Sequence, residues 1–209
     1  MKNILNFLIE VNKLKGRKRR GWLIHGIKNP ETTAEHIFHL IMLIFILGRF
    51  KKIKLERALK IALIHDICEV YSPDITSYDA VAIKEKEKLT IKDLLKIQPK
   101  LGRPTTLQRK KIERVKQLSE MKAVEKLISK LPPDSKKEIK GLWLEYEDGL
   151  TSEAKFVKQA DRVINFLQGM EYWKKYGRIQ HVLWKKRIKE VIDDPILLEF
   201  LRKTEEKFQ

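Results

Sequence analysis

Residues 62–70 read ALIHDICEV, an apolar run that ends by setting His65 beside Asp66, with Glu69 three residues further on. An ionised carboxylate in a low-dielectric interior is costly unless it is paired or bound to a cation. The stretch therefore either touches water at a rim or binds something. Its spacing is helical. From Leu55 to about Cys68 the chain is apolar on most sides and reads as a central helix. Tyr71-Ser72-Pro73-Asp74 then breaks the pattern and makes a loop.

The same period recurs on both sides. Ile4, Phe7, Leu8, Val11 and Leu14 form one stripe. In PETTAEH (30–36), Thr32 fits an N-cap with Glu35 reaching back, opening a helix that runs to Gly48. Residues 80–131 read as lysine-rich helix interrupted at QPKLGRPTT (98–106). Pro132-Pro133-Asp134 ends one helix and caps the next, which passes Trp143 and Tyr146 to Asp148. Ser152 opens a long helix through Phe156, Ala160, Val163, Phe166, Leu167 and Met170. Two more follow, with Pro195 starting the last. No alternating strand pattern and no internal repeat is visible. The expectation is an all-α chain, a single domain over 1–209.

A chain of 209 residues, 43% hydrophobic, has enough apolar side chains for one buried core. Its longest uninterrupted apolar run, Leu40–Leu47, is far short of the roughly 20 residues that cross a bilayer, so no crossing segment is expected. The N-terminus carries its charges after its apolar part and does not read as a secretory signal. The lone Cys68 excludes an internal disulfide and a thiolate metal cluster, and a reducing cytoplasm suits it. With Ile67 and Val70 as apolar neighbours, it reads as a buried thiol and not as a nucleophile.

The net charge of +17 suits phosphorylated ligands or nucleic acid. Much of it is spread along helix faces (Lys84, Lys86, Lys88; Lys110, Lys111; Lys136, Lys137), which favours solvated surface. The tight run Arg17-Lys18-Arg19-Arg20, just before Gly21-Trp22, is different: one of its members reads as aimed inward.

Four residues stand where an oily helix should not place them. His36 falls in the first turn of its helix, His65 and Asp66 at the end of theirs, and Asp161 interrupts an apolar face within KQADRVINFL. Neighbours on a helix point about 100° apart, so His65 and Asp66 share a ligand only where several helices converge. Two imidazoles and two carboxylates suit Mn, Fe, Co, Ni, Zn or Mg. Spacing alone leaves the plain readings open: a satisfied core histidine, and Asp161 paired with Arg162 or a lysine.

A histidine early in one helix, an adjacent His-Asp and a distant aspartate, in an all-helical chain, resemble the HD-domain metal-dependent phosphohydrolases, and most closely their 5′-deoxynucleotidase branch. The matching segments are RRGWLIHGIKNPETTAEH (19–36), ALIHDICEVYSPDIT (62–76) and EIKGLWLEYEDGLTSEAKFVKQADRVINFLQGMEYW (138–173). The departure is the basic stretch of about 84–116, which is longer here than in that branch.

The resemblance implies an HD-type helical bundle in which His36, His65, Asp66 and Asp161 bind one divalent metal. It makes Glu69 the group that positions or deprotonates the attacking water, and places Asp74 near the sugar and leaving oxygen. It assigns phosphate binding to Arg19 or Arg20, Arg19 keeping the R-x-G-W spacing, with Trp22 as a pocket wall. Glu145 and Tyr146 match a substrate-contacting stretch after a one-residue shift. It further implies a small nucleotide substrate and a homodimer. The residue types suit that chemistry: a phosphate monoester dianion repels its nucleophile, a cation and a guanidinium neutralise it, and a carboxyl group moves protons. Two other activities fit the chain less well. One is hydrolysis of a cyclic nucleotide or a triphosphate, with Arg103 and Arg109 supplying charge; the other is a basic nucleic-acid-binding module, which has no recognisable motif to support it.

Overall fold

The computed structural model describes residues 1–72, 106–177, 179 and 181–208. Asp74 and the expected helix before QPKLGRPTT lie outside them. Among the described residues the regular structure is helical, apart from one antiparallel bridge between Lys18 and Thr32. The α-helices are α1 Lys2–Val11, α2 Arg20–Ile24, α3 Thr33–Leu47, α4 Leu55–Ile64, α5 Thr106–Ile128, α6 Pro133–Asp148, α7 Ser152–Tyr176, α8 His181–Lys189 and α9 Pro195–Lys207. Short 3-10 turns cover Asn12–Gly16, Gly48–Phe50 and Ile67–Val70.

The chain gathers into two compact units. One holds Met1–Thr33 with Cys68–Leu131; the other holds Ala34–Ile67 with Pro132–Gln209. In the second unit, the 25-residue α7 is the axis on which α4, α6, α8 and α9 pack. Its sequence dictates this. Thr151 caps it by accepting from the Ala154 amide at 3.1 Å. Ala154, Phe156, Val157, Ala160, Val163, Ile164 and Phe166 are buried along its length, and Gly177 ends it at φ 66°. At Gly169 an added Cβ would fall 2.1 Å from the Trp184 ring, so only glycine lets α8 approach there. Phe166 meets the same indole edge-on at 6.0 Å. Asp194 caps α9, its carboxylate accepting from the amides of Ile196 and Leu197.

Two local expectations are corrected. The central helix stops at Ile64 and does not reach Cys68; His65 and Asp66 form a turn before the 3-10 segment. The Ala62 carbonyl accepts from the His65 ring at 2.7 Å, an imidazole taking over a helix-end acceptor. The N-cap of α6 is Pro132, which offers no side-chain acceptor; Pro133 sits at the first turn, and Asp134 lies inside the helix. The 18 residues Thr33–Phe50 are long and apolar enough, by length and composition, to cross a membrane. Counting uninterrupted apolar residues hid this, because His36 and His39 break the run. Here that helix buries His36, Ile37, Leu40, Leu43 and Ile44 and exposes Phe38, Met42, Phe45 and Ile46. His39 is exposed beside Phe38.

In the first unit, α1 packs on α5. Segment 17–19 runs beside 31–33: the Arg19 amide donates to the Glu31 carbonyl at 3.0 Å, and the Thr33 amide to the Arg17 carbonyl at 2.8 Å.

Candidate functional site

In the second unit, His36 (α3), His65 (after α4) and Asp161 (α7) bring their ligand atoms within 4.8 Å of one another. Both imidazoles are buried, at 0% and 2% exposure. His36 Nε2 lies 2.9 Å from Asp161 Oδ1. Asp66 Oδ2 is 3.2 Å from His65 Nε2, beside that trio. All four expected ligands are thus neighbours, with Asp66 attached through His65.

The surroundings orient the set. A carbonyl only accepts, so the 2.7 Å contact to Ala62 places a proton on His65 Nδ1, and in the neutral ring Nε2 keeps its lone pair. That Nε2 is buried, and its contact with Asp66 lacks hydrogen-bond alignment. Asn165 donates to Asp161 Oδ1 at 2.9 Å, and the Tyr146 hydroxyl donates to Oδ2 at 3.2 Å. Outer partners of this kind fix the orientation of metal-binding groups. The Tyr146 ring stands 5.1 Å from the His65 ring, and Lys158 Nζ lies over the same Tyr146 ring, 5.1 Å from its centroid.

The electrostatics agree. Burial pushes the His65 imidazolium down, but Asp66, then Asp161 and the Ala62 carbonyl, bring it up to about 9. Burial pushes the Asp161 carboxyl up, yet its contact with His36 holds it below the usual carboxylate range. Burial and the Asp161 and Asp66 charges raise Tyr146 well above a free phenol, so it stays a donor. Nitrogen and oxygen donors of this type fit a divalent cation. The residues present suit the metal.

In the first unit, Glu69 is 5% exposed and held on all sides. Arg19 Nη1 lies 3.4 Å from Oε1, and the Thr33 hydroxyl donates to Oε2 at 2.5 Å. Arg17 Nε donates to the Glu69 carbonyl at 3.0 Å and Arg17 Nη2 to the Ser72 carbonyl at 2.8 Å. The basic run therefore divides its labour. Arg17 braces the 3-10 turn, Lys18 Nζ reaches Asn29 at 3.0 Å and the Lys28 carbonyl, and Arg19 meets Glu69. Arg20 is half-buried in the first turn of α2.

Other expected contacts go elsewhere. Trp22 is 4% exposed, and its indole N–H donates to buried Glu31 at 2.9 Å, which leaves little of it to wall a pocket. Glu145 turns to Arg57 with both oxygens, at 3.1 Å and 2.8 Å from Nε, and accepts from Thr151 at 2.7 Å. Its neighbour Tyr146 is the one that reaches the His/Asp group. Cys68 is buried, as its apolar neighbours imply. Arg17 and Thr33 were not singled out from the sequence. One is hidden in a basic run, the other in a capping motif, and neither pattern signals a partner some 36 or 52 residues away.

The sequence profile described as HD domain matches residues 11–194, and the chain belongs to that family. Among relatives, the Schizosaccharomyces pombe protein named 5′-deoxynucleotidase hdd1 is 31% identical over 92% of this chain and 90% of its own. The Xenopus laevis protein named 5′-deoxynucleotidase HDDC2 is 30% identical over 86% of this chain and 75% of its own. Among solved structures, one titled a predicted metal-dependent phosphohydrolase from Magnetospirillum magnetotacticum aligns with TM-score 0.64 at 24% identity, covering 99% of this chain and 91% of that one. The PH0347 protein from Pyrococcus horikoshii aligns at 0.66 and 23%, covering 98% and 99%. At such identities the structures speak for the fold.

Proposed function

We propose that this protein is a metal-dependent phosphohydrolase that converts deoxynucleoside 5′-monophosphates to deoxynucleosides and phosphate. The observation that carries the reading is the buried convergence of His36, His65 and Asp161, with Asp66 beside His65, in an HD-domain chain. Relatives named 5′-deoxynucleotidases, at about 30% identity over most of the chain, supply the substrate class.

His36, His65, Asp66 and Asp161 would hold one divalent metal. When bound, it neutralises phosphoryl charge and acidifies a water at neutral pH. The chain's own residues do the rest. Tyr146 and Asn165 keep Asp161 oriented. Glu69 moves a proton from the attacking water or to the leaving 5′ oxygen, its carboxylate fixed by Arg19 and Thr33. Arg19 presents a guanidinium of the kind that grips two phosphate oxygens, with Arg20 as its neighbour in the same role. Asp74 serves the sugar end.

A homodimer is part of this proposal, supported by the exposed apolar residues Phe38, Met42, Phe45 and Ile46 on α3. A cytoplasmic location is supported by the single, buried cysteine. Light scattering after gel filtration tests the dimer, and a clean monomer rejects it.

The activity is tested by phosphate release from deoxy- and ribonucleoside 5′-monophosphates, with cyclic nucleotides and triphosphates in the same panel. The protein is stripped with chelator and then given Mn, Co, Zn or Mg separately. Release restored by metal and confined to deoxynucleoside monophosphates is expected. Silence with every metal, or turnover only of cyclic or triphosphate substrates, overturns the reading.

A further inference from the structure

We infer that Thr33 is a positioning residue for Glu69, holding its carboxylate through both of the protonation states that acid–base catalysis needs. This rests on the proton-transfer role proposed for Glu69. Thr33 is fully buried, and its Oγ1 lies 2.5 Å from Glu69 Oε2 and 3.3 Å from the Arg17 carbonyl. Its amide is fixed on that same carbonyl at 2.8 Å, and Thr32 bridges to Lys18, so the backbone beneath the hydroxyl is pinned. A β-branched side chain has few rotamers to choose from, which narrows where the oxygen can point.

The hydroxyl carries one hydrogen and has two acceptors within reach. While Glu69 is ionised, that hydrogen lies on Oε2, in the shorter and charge-assisted contact. When Glu69 takes up a proton, the carboxylic acid becomes the donor and Oγ1 the acceptor. The threonine hydrogen then turns to the Arg17 carbonyl. No proton leaves Thr33; a rotation about its C–O bond is enough. The carboxyl group keeps a partner in each state. Arg19, on Oε1, offers donors only, so it can meet the carbonyl oxygen but cannot accept the acid proton.

A buried hydroxyl that merely satisfied the start of α3 would look alike in a single mutant, so the test is a cycle. Thr33→Val keeps the branched shape and removes the hydroxyl; Thr33→Ser keeps the hydroxyl; each is combined with Glu69→Gln. Thr33→Val is expected to lower kcat about tenfold with KM within twofold, and Thr33→Ser to recover most of the loss. In the Glu69→Gln background, Thr33→Val should change nothing further. Equal losses in both backgrounds, or no loss in either, overturn the inference.

A readout independent of substrate separates this from the activity itself. In the full-length protein labelled at glutamate carboxyl carbons, the Glu69 resonance is identified by its disappearance in Glu69→Gln. Its titration midpoint should rise in Thr33→Val, because a donor to the charged form is lost, and return in Thr33→Ser. An unmoved midpoint sinks the inference even if the nucleotidase assay succeeds. A shifted midpoint upholds the contact even if that assay fails.

Discussion

Asp161 and Glu69 are two hindered carboxylates in two different units, and their partners differ in kind. Asp161 is met by an imidazole, a phenol and an amide. Glu69 is met by a guanidinium and a hydroxyl. The first set orients a negative charge without a permanent cation to match it. The second already includes Arg19. A carboxylate left with its charge is suited to bind a metal; one whose charge is matched nearby, and whose oxygens have a convertible partner, is suited to trade protons. What neutralises each group, more than where it sits in the chain, separates ligand from acid–base residue.

That contrast is sharpest at Asp161. Asp161→Ala should release the metal, read by elemental analysis, and lower the phosphatase rate by more than about 10³-fold. Retention of both metal and rate would erase the distinction. A smaller effect is expected at its partner. Tyr146→Phe keeps the ring against His65 but removes the donor to Oδ2, and metal affinity should fall about tenfold in a competition titration. An unchanged affinity would make Tyr146 packing alone.

The smallest effect belongs to the neighbouring residue. Arg57→Met removes the partner of Glu145 on the half-exposed edge of α4. Such a pair is worth about 0.5 kcal/mol, so urea unfolding should shift slightly while kcat stays within twofold. The sign of its pH dependence follows from Glu145. Burial raises that carboxyl, but Arg57 and Thr151 outweigh burial and leave it lowered. The contribution is therefore fully present above the ordinary carboxylate range and is lost as pH falls through the lowered value. The wild-type and Arg57→Met curves should converge in acid.

The helical architecture was readable because 3.6-residue periodicity is local. Phe156, Ala160, Val163 and Phe166 declare the buried side of α7 without help from elsewhere. His36, His65, Asp66 and Asp161 stood out because charge in an oily run is anomalous, while their reading as a metal set came from the family resemblance. What escaped was long-range and backbone-directed. Arg17 spends its guanidinium on two carbonyls, and carbonyls have no letter in a sequence. Thr33 belongs to a motif that already explains a threonine. Glu145 and Tyr146 are adjacent on a helix, so about 100° of rotation decides which meets Asp161. The break after Ile64 coincides with a ring-to-carbonyl contact that periodicity does not register.

The helix α1 contains no buried residue. What moors it to the rest of its unit includes one phenol: the Tyr71 hydroxyl donates to Glu10 at 2.7 Å, and Lys126 Nζ stands 4.1 Å over the same ring. Peeling α1 away uncovers little apolar surface, so its opening free energy lies far below that of global unfolding. Among the described helices of its unit, α1 should be the first whose amide hydrogens trade with solvent deuterium. Tyr71 precedes Ser72, whose carbonyl accepts from Arg17 Nη2. The N-terminal helix can breathe while the turn that carries Glu69 keeps its shape.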